Sequence, residues 1–332
     1  MAAKKHHYIP VFYQKGFADD ENLLWVFDRK LRTYKHLHPK VLCREEDLYA
    51  VEPKDGGTKD RRVETHILSP IDNAAAPIIQ RLTRGVLLDT EDFRSLVRFI
   101  ALQSTRLPSF GRAVRKISES FWDEWLRLQF STEQKAEGAL SRLERQTGIP
   151  RLVSASSMVK SVVNKRVNAQ ANASWFISQM FDQANFLAHW LEHSTWTILV
   201  ASQATHFILC DHPFAVVPPI ERQGSVVSYG SPGVTCYFPL NARLCLSLCH
   251  GDFGFEYQSA DSRTVRTINC NIAANSDRFI MAGSLRQLES VVEKSSSEEP
   301  ESSGERFDIR PVFSTQDESL VEYSLRPRRT FY

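Results

Sequence analysis

Six polar side chains in this sequence are flanked by apolar residues that would hold them still: His6, His7, Gln103, Arg106, Asp211 and Asn269. The two imidazoles open the chain in His6-His7-Tyr8-Ile9-Pro10-Val11-Phe12-Tyr13. Chain ends ordinarily fray, so the aromatic run behind the histidines predicts an anchored end. One imidazole would exchange a proton near neutral pH, with Asp211 orienting it as a carboxylate partner. Arg106 presents a rigid fork of donors suited to phosphate, and Gln103 and Asn269 can donate to developing charge. His6, His7 and Asp211 are therefore the catalytic candidates, and Gln103, Arg106 and Asn269 the substrate-binding ones. The set fits hydrolysis or transfer at a phosphodiester or nucleotide. It also fits hydrolysis assisted by a divalent metal, since two imidazoles and a carboxylate leave a position for water. Adjacent strand residues point apart, so His6 and His7 could share a metal only in a turn or irregular segment. Each residue also has a structural reading: local hydrogen bonds for the histidines, a satisfied buried amide for Gln103, and a turn before His212-Pro213 for Asp211.

The opening motif does not stand alone. Phe99-Ile100-Ala101-Leu102-Gln103-Ser104-Thr105-Arg106-Leu107-Pro108, Cys210-Asp211-His212-Pro213-Phe214, Phe238-Pro239-Leu240-Asn241-Ala242-Arg243 and Arg266-Thr267-Ile268-Asn269 follow it in order. Together these segments resemble the family described as domain of unknown function 4238, from residue 4 to about residue 284. The histidine-rich opening is the most specific part, and residues 110 to 190 carry little signature. The sequence departs from the family pattern at Cys210 and His212, on either side of Asp211. The resemblance implies one shared site and no named substrate. The functional expectation is a nuclease-like hydrolase, acting as a bacterial defence or toxin-type effector. The alternative is a non-catalytic module that binds a small anionic ligand or a partner protein.

Composition narrows the classes. The chain has 332 residues, 42% of them hydrophobic, which supports a real core in one large or two medium domains. Forty-one basic and 39 acidic residues leave a net charge of +2, so global charge makes no case for nucleic acid or membrane and leaves only a local basic groove. Six cysteines form no CxxC pair and read as reduced thiols. No apolar run approaches bilayer length, and the expected location is the cytoplasm. Gly-rich phosphate loops, GxSxG elbows and HExxH pairs are absent, which sets aside the NTPase, hydrolase-elbow and zincin classes.

The elements that must position the six residues alternate in type. Residues 23–28 and 47–52 read as strands, and helices take over from Ser69-Pro70-Ile71-Asp72, where Asp72 reads as a capping acid. The next helix starts near Asp89 and places Gln103 and Arg106 on or beside its apolar stripe. Further helices are expected around Trp122 and Trp125, over 131–146 and over 172–193. Strands are expected at 196–200, 206–210, 234–238, 243–249 and 278–281, with helices after 261 and from 284 to 292. The expectation is an α+β fold, a helical middle packed with a mixed or antiparallel sheet built from N-terminal and C-terminal strands. Residues 1–293 would form one composite domain, β-rich over 1–55, helical over 58–193 and β-rich over 195–283. Ser295 to Glu305 is too polar to order itself, making 294–332 a flexible linker and tail.

Overall fold

The computed structural model describes residues 5–51, 57–164, 166–167, 173–223, 227–251, 254–297, 308–313 and 321–326. Along the chain, β1 (Lys5–His7), α1 (Val11–Lys15), β2 (Leu24–Asp28), β3 (Thr33–Leu37) and β4 (Arg44–Glu46) come first. Five helices follow: α2 (Ser69–Thr83), α3 (Thr90–Thr105), α4 (Pro108–Gln129), α5 (Glu133–Thr147) and α6 (Ala155–Val163). After α7 (Ala173–Glu192) come β5 (Ser194–Ala201), β6 (Leu209–Cys210), β7 (Ala215–Val217), β8 (Thr235–Pro239), β9 (Leu244–His250) and β10 (Gly254–Ala260). The last elements are α8 (Ser262–Ala274), β11 (Phe279–Ala282), α9 (Leu285–Ser297), β12 (Asp308–Phe313) and β13 (Val321–Arg326). The fold is α+β.

These elements divide into two units. The first takes residues 1–111 and 177–302, and the second 112–176 and 303–332. In the first, an antiparallel sheet runs β3-β2-β11-β6, so an N-terminal hairpin is completed by strands from the far end of the chain. A second sheet runs β10-β5-β9-β8-β7, and its one parallel pair, β10 with β5, makes it mixed. From Leu96 onward α3 is buried almost without interruption, as a helix enclosed on all sides must be. Tyr13 of α1 stacks on Phe238 of β8, and Phe99 of α3 meets both rings edge-on. The Tyr13 hydroxyl also donates to the Pro239 carbonyl, which anchors the N-terminal segment in this core. Gly16 lies in the same contact: a Cβ there would come within 3.1 Å of the Asn241 side chain.

In the second unit, Thr132 caps α5 and Gly148, at φ 69°, ends it in the left-handed conformation. Phe130, Ala136, Leu140 and Val162 form a small core there. β12 and β13 pair antiparallel at the level of the backbone.

Some boundaries differ from expectation. Residues 47–49 form a turn, with a single bridge from Val51 to Asp60. Asp47 sits at φ 54°, outside strand conformations, and its carboxylate is held by Arg61 at 2.8 Å and Lys59 at 3.5 Å. Glu52, the last residue of that expected strand, lies outside the described residues, as do most of the serine-rich linker from 298 on and the basic residues beyond Arg326. Ser295 to Ser297 belong to α9. Among the described residues no helix is long and apolar enough to cross a membrane.

Candidate functional site

The strand β1 decides the two histidines. Alternation sends His6 inward, 1% exposed, and leaves His7 half-buried. The Tyr49 backbone N–H donates to His6 Nδ1 at 3.2 Å, so a neutral His6 carries its proton on Nε2, and its ring stacks on the Tyr49 ring at 5.6 Å and 7°. His7 Nε2 donates to the Lys40 carbonyl at 3.1 Å. Burial pulls the His7 pKa down, the Lys40 hydrogen bond opposes this, and the nearby Arg44 charge adds to it.

Gln103 and Arg106, one turn apart at the end of α3, are both buried and bonded to each other. Gln103 Oε1 accepts from Arg106 Nε at 2.9 Å and from Nη2, while Gln103 Nε2 donates to the Tyr8 carbonyl at 2.8 Å. Arg106 is 1% exposed, and its Nη1 lies 3.0 Å and 3.2 Å from the two carboxylate oxygens of Asp72, donating to Oδ2. The Tyr49 hydroxyl donates to the Arg106 carbonyl at 2.7 Å. Through Tyr49 and Gln103, His6 and Arg106 belong to one polar core.

Asp72 is not the capping acid its position after Ser69 suggests. A π-helical turn, Val63–Leu68, runs directly into α2, so Ser69 begins no new helix and its hydroxyl donates to the Glu64 carbonyl at 2.8 Å. Pro70 explains the wide turn: it lacks an N–H and its ring crowds the carbonyl four residues back, strain that an i→i+5 turn relieves. The turn also brings Glu64 into electrostatic contact with Arg106 and Asp72. Glu64 is half-buried, and its Oε2 is buried without a hydrogen-bond partner. Burial raises its pKa to about 7, opposed by Arg106 and reinforced by Asp72. Asp72 is likewise pushed above the usual carboxylate range by burial, against the pull of Arg106. Burial therefore favours the protonated form of both carboxyls, and the Arg106 guanidinium opposes it in each.

Asp211 and Asn269 do other work. Asp211, 3% exposed at the end of β6, accepts from the backbone N–H groups of Asp277 at 2.9 Å and Arg278 at 2.8 Å. Burial raises its pKa to about 6, against the hydrogen bonds from the 277–279 segment. It sits in the electrostatic reach of Tyr8 and of the Cys43 and Cys210 thiols, whose pKa values burial drives up. Asn269 of α8 brackets the loop before β6, accepting from Ile208 N at 3.1 Å and donating to the His206 carbonyl at 2.9 Å. The six sequence candidates take different partners. His6, Gln103 and Arg106 share a core, His7 reaches Lys40, Asp211 holds the turn before β11, and Asn269 ties α8 to residues 206–208. Among the described residues no three His, Cys, Asp or Glu side chains group as a metal-ligand set.

Glu64 and Tyr49 escaped the sequence reading. Val63, Ile67 and Leu68 ahead of Pro70 already carry helical spacing, a signal that helix begins before Ser69. The family model for Protein of unknown function (DUF4238) matches residues 5–285, and the chain belongs to that family. No curated protein and no solved structure matches the chain.

Proposed function

We propose that this DUF4238 protein is a hydrolase of phosphodiester or nucleotide substrates, with Glu64 and Asp72 beside Arg106 as its acid–base pair. One observation carries the reading: Glu64 is a half-buried carboxyl with an unpartnered oxygen, on a π-helical turn, and its pKa of about 7 suits proton transfer at neutral pH. Such turns recur at functional positions.

In this reading Glu64 as carboxylate takes a proton from water, and the water oxygen bonds to phosphorus. The ester P–O bond then breaks, and the leaving oxygen takes its proton from a carboxylic acid of the pair, whose proton count is thereby restored. Arg106 sets the charge of the pair, because Gln103 and Asp72 already occupy its donors. Gln103, His6 and Tyr49 are positioning residues that hold Arg106 and its neighbours in place. In this reading Asp211, which accepts from two backbone amides, serves the fold and takes no part in proton transfer.

Purified full chain is incubated with end-labelled RNA, end-labelled DNA and a panel of nucleotides, beside Glu64→Gln and Asp72→Asn. The expected result is product from one class of substrate, at least about 100-fold less with Glu64→Gln, as removal of an acid–base group costs. Equal product from wild type and Glu64→Gln would overturn the reading, as would no product from any substrate. Induced expression of the same proteins, following growth and nucleic-acid integrity, tests the effector expectation.

A further inference from the structure

A cavity of about 420 Å³ opens in the first unit between α8, α9 and the loop before β6. It has the size of a small-ligand site. Its charged lining is of one sign, Arg266 of α8 and Arg286 of α9, with His206 of the loop beside them and no carboxylate among the lining residues. Among the described residues, neither Arg266 nor Arg286 has an ion-pair or hydrogen-bond partner, although eleven other arginines hold an ion pair or a side-chain hydrogen bond, Arg106 and Arg278 among them.

The nearby acids are turned to other tasks. Asp261 accepts from Thr264 N at 2.7 Å as the cap of α8, and Glu289 and Glu293 of α9 act on Tyr34 of β3. The loop is fixed to both helices, because Asn269 of α8 and Gln287 of α9 both donate to the His206 carbonyl. Hydroxyl donors are supplied by Ser262 at the start of α8 and Ser284 just before α9, where the helix dipole favours an anion. His206 has its pKa lowered by burial and by the Arg243 charge, in keeping with a cationic neighbourhood.

We propose that this cavity is a binding site for a phosphomonoester of mononucleotide size, with Arg266 and Arg286 clamping the phosphate. Two guanidiniums match a dianionic phosphate in charge and in donor geometry. The remaining volume accommodates the organic part. The site shares no residue with the Glu64 pair and does not depend on the hydrolase reading.

The test is calorimetric titration of the full chain with AMP, inorganic phosphate and adenosine. AMP and phosphate are expected to bind saturably, and adenosine not at all. Arg266→Gln/Arg286→Gln should weaken AMP by at least about 10-fold, the loss expected of charged hydrogen bonds, with an unchanged melting temperature. Glu64→Gln should bind AMP as wild type does, which separates this site from failure or success of the hydrolase reading. Absence of saturable AMP binding, equal binding of adenosine, or undiminished affinity in the double variant would each overturn the proposal.

Discussion

Arginine is used in two opposite ways in the same unit. Arg106 is buried, its donors taken by Gln103 and Asp72, and it governs the protonation of neighbours that are themselves desolvated. Arg266 and Arg286 stand exposed at a cavity with no carboxylate among its lining residues. A buried guanidinium must be satisfied before anything else binds, so its influence is exerted through other groups. An exposed, unpartnered one keeps its charge available for a ligand. Motif alone does not distinguish the two: Arg106 and Arg266 both lie in segments shared with the family, and only the packing around them assigns their parts.

The largest effect should come from Arg106→Met. It strands Asp72 and leaves Gln103 Oε1 without donors, and loss of one partner from such a buried pair costs about 3–5 kcal/mol. Urea unfolding measures it, and a loss below about 1 kcal/mol would erase the contrast with the cavity arginines. Asp211→Ala is the intermediate case, buried yet satisfied by two backbone amides. Removing that acceptor should cost about 2–3 kcal/mol, read from the same unfolding curves, with β11 the first segment to lose amide-exchange protection.

Glu64→Gln sharpens the comparison through its pH dependence. The folded chain holds the Glu64 proton to about pH 7, whereas the ordinary value is 4.5. Between those values the folded state binds more protons than the unfolded state, so wild-type stability falls as pH rises through that window. Glutamine has no such dependence. The variant should exceed wild type by about 1–2 kcal/mol at pH 8, allowing for solvent screening of a half-buried group, and match it near pH 4.5. Thermal melts from pH 4.5 to 8 check this, and a constant difference would show that Glu64 ionises normally. The smallest effect belongs to the cavity: Arg266→Gln/Arg286→Gln should lie within about 0.5 kcal/mol of wild type, as exposed substitutions do.

Much of the frame was legible because periodicity and caps are local. Asp89 and Asp261 cap α3 and α8 as their positions promise, and β8, β9 and β11 fall within a residue or so of the apolar β-branched runs that suggested them. The site was legible only in part. Gln103 and Arg106 could be placed near the interior by counting turns, yet their partners Asp72, Glu64 and Tyr49 arrive from segments whose local signals pointed elsewhere, to a cap and a strand. Asp72 lies 34 residues from Arg106, and no spacing rule links them. Asp211 and Asn269 were seen as polar residues among apolar ones, which is also the signature of side chains that satisfy buried backbone. β10 was missed because Gly254, Glu256 and Gln258 dilute its apolar pattern, and its parallel pairing to β5 is set by a partner far upstream.

The antiparallel registration of β2 with β11 has a consequence for synthesis of the chain. Asp28 meets its Arg278 partner 250 residues later, so the strand that opens the sheet must wait for one made near the end of the first unit. At ribosomal speeds of about 5–20 residues per second, that interval is roughly 12 to 50 s. Throughout it the buried side chains of Leu24 and Val26 have no neighbouring strand on the β11 side. The β2 edge therefore stays open until translation passes Ala282.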